Sequence, residues 1–367
     1  MTHPSGQPGY EHGYGHGYGY GYPPPPPPPK PGVIPLAPMT FGQILTGAFS
    51  AFGRYWKPLL GVAGIAYAGA TALVVGALLI GWSAVSDNVD RLSNLPHGQE
   101  PDVADIQGLF VAFGCAWLTG AVALVLANAL VYAAVPVVAQ EAVLGRPVGF
   151  GAVWRRAWSR LGAVLSSVLL SMLAMFVPAL FFLVGGGVML FGMVARLDAS
   201  DGEHVAPDSG FVVAFLLLVL VGMATIPVGL WLWVKFALAP SVAVIEGAAA
   251  MASLRRSAAL VRGSWWRIFG CMIAAGAMVA VASWAIQQVF SLLAWFPMAT
   301  MPFDAEAAPT EVLTSMSVML AVLLVGSIAC QAVLAPFQPL VSTLLYVDQR
   351  IRKENLAPTL ARAAGVA

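Results

Sequence analysis

Six apolar segments, at residues 59–85, 109–136, 161–194, 211–240, 268–295 and 313–336, constrain this chain more than any other feature. Each exceeds the ~20 residues with which an α-helix, rising ~1.5 Å per residue, crosses ~30 Å of hydrocarbon. A water-soluble fold has nowhere to put them: 59% of the chain is hydrophobic and 10% charged, against about 25% charged in soluble domains. The expected fold class is an all-α integral membrane protein with six transmembrane helices.

Charge sets the orientation. With both termini on one side, that side carries 16 of the 18 Lys and Arg, and only Arg91 and Arg196 fall on the other. By the positive-inside rule the N- and C-termini are cytoplasmic. The acids gather outside, among them Asp87, Asp90, Glu100, Asp102 and Asp105 in the first outer loop, Asp198, Asp201, Glu203 and Asp208 in the second, and Asp304, Glu306 and Glu311 in the third. No basic-then-apolar leader precedes the first segment, so that segment is expected to act as the insertion signal.

Residues 1–32 are different material. Gly and Tyr alternate around His12 and His16, and seven prolines run from Pro23 to Pro29. Nothing there can bury a core, so a disordered cytoplasmic tail is expected, its proline run a polyproline II rod of ~22 Å at ~3.1 Å per residue. Such a tail serves either as a spacing arm or as a docking site for a cytoplasmic protein partner. Residues 33–357 then form the membrane domain, and 358–367 a short cytoplasmic C-terminal tail.

The membrane domain repeats three times in position. Each unit opens on an amphipathic stretch ending in aromatic and basic residues and then glycine: Arg54-Tyr55-Trp56-Lys57 with Gly61, Arg156-Ala157-Trp158-Ser159-Arg160 with Gly162, and Trp265-Trp266-Arg267 with Gly270. Each closes on Ala134-Val135-Pro136, Ala239-Pro240 or Ala335-Pro336. This predicts three parallel repeats, each an interfacial amphipathic helix plus a helical hairpin. In the first, Phe41, Ile44, Leu45, Ala48, Phe49 and Phe52 recur at helical spacing. Arg54, Trp56, Lys57, Arg156, Trp158, Arg160, Trp265, Trp266 and Arg267 are accordingly candidates for the lipid headgroup interface, with cations reaching headgroups and indoles at the boundary; plain topology anchoring is the simpler account of the same residues. Glu141 and Glu246 follow the closing prolines of the first two units, near the Arg155–Arg156 and Arg255–Arg256 pairs, and ion pairs, with Arg155 and Arg255 as the candidates, are expected there to orient the amphipathic helices.

The chain offers no chemistry at membrane depth. His3, His12, His16, His97 and His204 all lie outside the segments, and there is no His-Glu-x-x-His, phosphate-binding loop or pair of membrane aspartates. No Asp or Glu is central in any segment, which disfavours an ion-coupled pump. Cys115, Cys271 and Cys330 are spaced for neither a disulfide framework nor a metal site. No catalytic residue, cofactor, metal or nucleic-acid partner is assigned. Asn128, Gln287, Gln288 and Gln331 suit interhelical hydrogen bonds, and Gly185-Gly186-Gly187 suits a kink or break in the long third segment.

From Ile34-Pro-Leu-Ala-Pro-Met-Thr-Phe-Gly-Gln-Ile-Leu45, through Ser253-Leu-Arg-Arg-Ser257 and Val261-Arg-Gly-Ser-Trp-Trp-Arg-Ile-Phe-Gly270, to Leu344-Leu-Tyr-Val-Asp-Gln-Arg-Ile-Arg-Lys-Glu354, the chain resembles a bacterial family of six-span proteins common in actinobacteria. That family is similar to the membrane domain of glycerophosphoryl diester phosphodiesterases. In those enzymes hydrolysis belongs to a separate soluble domain, and thirteen residues after Glu354 leave no room for one here, so the resemblance implies no catalytic residues. The expectation is a non-enzymatic scaffold or accessory protein of the bacterial plasma membrane that contacts the phospholipid bilayer and binds lipid. The alternative is a transporter or lipid-translocating protein with a path near Gly185–Gly187 and Gln287–Gln288.

Overall fold

The computed structural model describes residues 30–93, 103–199, 209–299 and 309–365. The tail through Pro29, the loop stretches 94–102, 200–208 and 300–308, and with them all five histidines, lie outside the described residues. Among these residues the chain forms eleven α-helices and no strand: α1 (Phe41–Arg54), α2 (Trp56–Ser93), α3 (Val103–Leu144), α4 (Phe150–Ala199), α5 (Ser209–Phe236), α6 (Ala239–Ile245), α7 (Ala250–Val261), α8 (Trp265–Ala299), α9 (Pro309–Leu334), α10 (Phe337–Glu354) and α11 (Ala357–Ala364).

Five helical stretches are long and apolar enough to cross a membrane: Trp56–Arg91, Gln107–Leu144, Val212–Ile245, Trp265–Phe296 and Val322–Glu354. The remaining apolar segment, 161–194, lies inside α4, a single helix of 50 residues. The helix runs unbroken through Gly185–Gly187, where Gly185 merely packs on Leu218. The long helices pair as neighbours in the chain, α2 on α3, α4 on α5 and α8 on α9. Their outer surfaces are apolar, with Leu79, Ile80, Phe110, Leu183 and Leu292 exposed, as suits side chains facing lipid rather than water.

The α8–α9 hairpin closes tightly at Gly326, where an added Cβ would stand 2.4 Å from Phe290 Cγ and 2.7 Å from its Cβ. Neither atom is the free end of a flexible side chain. Gly326→Ala is therefore expected to destabilise the protein by about 2 kcal/mol through overpacking, measured as a lowered melting temperature in detergent; an unchanged value would mean that the two helices part at no cost.

The core is concentrated at one end of the bundle, where most of the basic residues and both described ends of the chain also lie. Its centre is α10. Leu340, Val341, Leu344, Leu345 and Tyr346 are buried together with the polar Ser342, Thr343, Asp348 and Gln349. Around it stand α1, α3, α6, α7 and α8. The amphipathic α1 starts in a capping box, Thr40 with Gln43, and turns Ile44, Ala48 and Ala51 inward while Phe41 and Phe49 stay exposed.

The three closing prolines do not end the helical run. Pro136 lies inside α3, Ala239-Pro240 opens α6, and after Ala335-Pro336 the chain resumes as α10. The break between α5 and α6 is bridged by Ser257 of α7, which donates to Lys235 O (2.8 Å) and accepts from Leu238 N (3.3 Å). The three amphipathic stretches also differ. Tyr55 separates α1 from α2, and Arg262-Gly263-Ser264 separates α7 from α8 with Gly263 at φ +82°. Residues 150–160 instead run straight into the long helix α4. No glycine or proline interrupts the helix between Ala152 and Leu161, so nothing there costs enough to break it. The C-terminal stretch after residue 357 is likewise helical, as α11, with Arg146 donating to Ala363 O.

Candidate functional site

Two polar clusters and two aromatic cavities lie at the basic end. The first cluster centres on Asp348, whose side chain is fully buried. Its carboxylate accepts from Met39 N (2.8 Å), from Arg267 Nη2 (3.0 Å) and from Arg352 Nε (2.9 Å). Arg267 and Arg352 also donate to Met39 O. Both backbone groups of Met39 are thus gripped by one carboxylate and two guanidinium groups, the strong charge-assisted kind of hydrogen bond. This latch ties the N-terminal arm to α8 and α10.

The second cluster joins α6, α7 and α10. Glu246 accepts from Arg256 Nε (3.3 Å) and from the Tyr346 hydroxyl (2.8 Å), which in turn accepts from Arg350 (3.0 Å). Glu354 is bonded by Arg350 Nε (2.8 Å) and Arg256 Nη2. Burial alone would lower the Arg256 pKa, but the Glu246 charge and the hydrogen bonds to Glu246 and Glu354 hold it above the ordinary guanidinium value. Next to this network, Lys353 Nζ donates to Leu260 O (2.8 Å) and Arg262 O (2.6 Å), closing the last turn of α7.

The cavities lie at the two helix breaks. One, of about 1000 Å³, is lined by Arg54, Tyr55, Trp56 and Lys57 of the α1–α2 break and by Phe150 of α4. The other, of about 550 Å³, is lined by Trp231 and Lys235 of α5 and by Arg262 and Trp265 of the α7–α8 break. Lys235 Nζ stands 4.3 Å above the Trp231 ring, Lys57 Nζ 5.8 Å from the Trp56 ring and Arg54 Cζ 5.8 Å from that of Tyr55. Tyr55 OH is anchored on Arg146 O (2.8 Å) and Trp265 Nε1 reaches Trp231 O (3.4 Å).

The residues singled out for the headgroup interface therefore divide. Trp56, Trp158 and Trp266 are exposed, at 49%, 59% and 77%. Arg54 and Lys57 are exposed and make no hydrogen bond or ion pair with the described residues. Arg156 donates to Gln140 (3.3 Å) and Arg160 to Gly247 O (3.2 Å), so both also stitch the fold. Trp158 stacks on Trp154, and Trp154 on Phe150; Trp265 stacks on Phe269. Arg267 belongs to the Asp348 latch rather than to an exposed surface. Of the Arg255–Arg256 pair, Glu246 takes Arg256 and leaves Arg255, because in α7 Arg256 turns toward α10 and Arg255 outward. Between Glu141 and Arg155 no ion pair forms among the described residues.

The residues missed from the sequence are those of α10. Tyr346, Arg350 and Glu354 are spaced four apart, as are Asp348 and Arg352, and that spacing on one short stretch was the available signal. The three cysteines are free, Cys115 exposed and Cys271 and Cys330 buried. No group of three His, Cys, Asp or Glu among the described residues is arranged to hold a metal.

No curated protein and no solved structure matches the chain. Residues 39–349, from the latched Met39 to the buried Gln349, do match a family: the chain belongs to the family described as a domain of unknown function, DUF7847.

Proposed function

We propose that this chain is a six-span protein of the bacterial cytoplasmic membrane, built of three parallel repeats with both termini cytoplasmic, and that it is a non-enzymatic scaffold or accessory protein that binds anionic lipid at the inner leaflet. One observation carries the reading: the division of cations at the basic end. Arg256, Arg267, Arg350, Arg352 and Lys353 are spent on internal contacts. Arg54, Lys57, Arg155 and Arg262 face outward beside or near aromatic side chains. Exposed indoles next to outward cations suit the headgroup layer, where each basic residue contributes about 1 kcal/mol of attraction to anionic lipid. The motifs around Ile34, Val261 and Leu344 support kinship with the membrane domain of glycerophosphoryl diester phosphodiesterases, and no catalytic, cofactor or metal role is assigned to any residue.

The test is the melting temperature of the full chain in mild detergent with added lipid. Phosphatidylglycerol is expected to raise it by several degrees over phosphatidylcholine, since a ligand at a hundred times its Kd stabilises by about 2.7 kcal/mol. Equal shifts from the two lipids would remove the reading. The scaffold role is tested by comparing proteins co-purified with the full chain and with a chain beginning at Lys30; a partner lost with the tail supports recruitment.

A second reading, a transporter or lipid-translocating protein, is favoured by a cavity of about 530 Å³ between α2, α3 and α9, lined among others by Tyr67, Ser327 and Gln331. Tyr67 OH donates to Asn128 Oδ1 (3.0 Å). Its polar groups are neutral hydroxyls and amides, which suit an uncharged or lipidic cargo rather than an ion.

A further inference from the structure

We infer that the two helix breaks form two separate binding sites for the phosphate of an anionic phospholipid, one between Arg54 and Lys57 and one between Lys235 and Arg262. This deepens the lipid-binding reading above and rests on it.

The argument starts from charge. Each cavity is lined by two cations, and no acidic side chain among the described residues lines either. None of the four cations forms an ion pair within the described residues, although five acidic-cluster cations a few residues away all do or cap a helix. A pair of unneutralised cations in a concave site repels itself unless an anion is supplied, and a phosphate diester or monoester suits two such donors.

The walls identify the rest of the ligand. Tyr55, Trp56 and Phe150 in one site, and Trp231 and Trp265 in the other, are amphipathic or apolar. Aromatic walls of this kind suit the glycerol and first acyl carbons of a lipid better than a free anion, which is fully hydrated and gains nothing from an indole. The Trp265 indole is also held, by Trp231 O and by stacking on Phe269. A preformed wall loses little side-chain entropy on binding.

The local backbone explains why there are two sites and where they lie. At Tyr55 and at Arg262–Ser264 the chain leaves one helix and begins the next, which carries the flanking cation and indole round the corner into a concave wall. The matching stretch of α4 runs straight, and its Trp154 and Trp158 stack along the helix instead.

Native mass spectrometry of the full chain, with phosphatidylglycerol, phosphatidylcholine and inorganic phosphate as probes, tests this. The wild-type chain is expected to retain two phosphatidylglycerol molecules above the phosphatidylcholine background. Arg54→Gln with Lys57→Gln is expected to leave one, Lys235→Gln with Arg262→Gln to leave one, and all four together none. Each double variant should weaken its site about thirtyfold, the loss expected of two surface cations. Lys235→Arg with Arg262→Lys, which keeps the charge, should restore the second lipid; that rescue separates ligand binding from misfolding. Retention of two lipids by either double Gln variant would overturn the assignment of that site while leaving general anionic-lipid binding intact. Competition by millimolar inorganic phosphate would overturn the lipid as the source of the phosphate. Equal retention of phosphatidylglycerol and phosphatidylcholine by the wild-type chain would remove both the sites and the lipid-binding reading.

Discussion

Asp348→Asn is expected to destabilise the protein by about 3 kcal/mol, the low end of what breaking a buried ion pair costs. The carboxylate is fully buried, whereas the two guanidinium partners are about one-third exposed, 31% for Arg267 and 33% for Arg352. Their exposure lets water screen part of the charge left behind, hence the low end of the range. Asparagine keeps the shape and can still accept from Met39 N, but its amide nitrogen would face donors where the carboxylate accepted from them. Two positive groups would then stand together over Met39 O with nothing to balance them. The measurement is thermal unfolding in detergent, paired with hydrogen–deuterium exchange at the Met39 amide, which should quicken as the arm detaches from α10. Arg352→Gln is the control: Arg267 still neutralises Asp348, so its cost should be at most half as large. A melting temperature for Asp348→Asn within a degree of wild type would mean that the latch does not hold the arm.

The parts of this fold legible in the sequence were those with a strong periodic or compositional signal. Long apolar runs stand out because a lipid-facing helix tolerates few polar residues, and all six such runs fall wholly or mainly in long helices. The helical spacing of Phe41, Ile44, Ala48 and Phe52 likewise announced α1. What escaped was α10. Its sequence, with Gln338, Ser342, Thr343, Asp348 and Gln349 among apolar residues, carries no long unbroken apolar run, yet thirteen of its eighteen residues are buried. Each polar group there except Gln349 finds a neighbour, Ser241 with Thr343 at 3.0 Å among them, and burial of satisfied polar groups leaves no trace in hydropathy. The choice between Arg255 and Arg256 was equally hidden. Adjacent helical residues point about 100° apart, so the pairing is decided by how α7 is rotated against α10, which is a tertiary fact. The straight course of α4 is written in the lack of any helix-breaking residue between Ala152 and Leu161, whereas a repeat of amphipathic helix and hairpin predicts a break where α1 gives way to α2 and α7 to α8.

Gly32→Val is expected to cost about 3 kcal/mol by lifting the N-terminal arm off α3. A Cβ at this position would stand 2.1 Å from Ala142 O and 2.5 Å from Val143 O. Both are backbone atoms of the last turns of α3, so no rotamer change relieves the clash, and the arm itself must move. Movement breaks the hydrogen bond from Val33 N to Ala142 O (3.1 Å) and re-exposes Val33 and Ile34, now 8% and 0% exposed. Re-exposing an aliphatic side chain costs about 1.5–3 kcal/mol and the lost hydrogen bond about 1 kcal/mol; the arm regains backbone freedom, which offsets part of the sum. Hydrogen–deuterium exchange locates the effect: the amides of residues 33–36 should exchange faster, while Met39, held separately by Asp348, stays protected. Gly42→Ala provides the contrast, since its Cβ would meet nothing within 4 Å and alanine favours the helix by about 0.5–1 kcal/mol. If Gly32→Val left exchange over residues 33–36 unchanged, the arm would not rest on α3. If residues 33–36 opened while Met39 stayed closed, the arm would have two independent anchors, and force applied through the tail would reach α10 only after the first had given way.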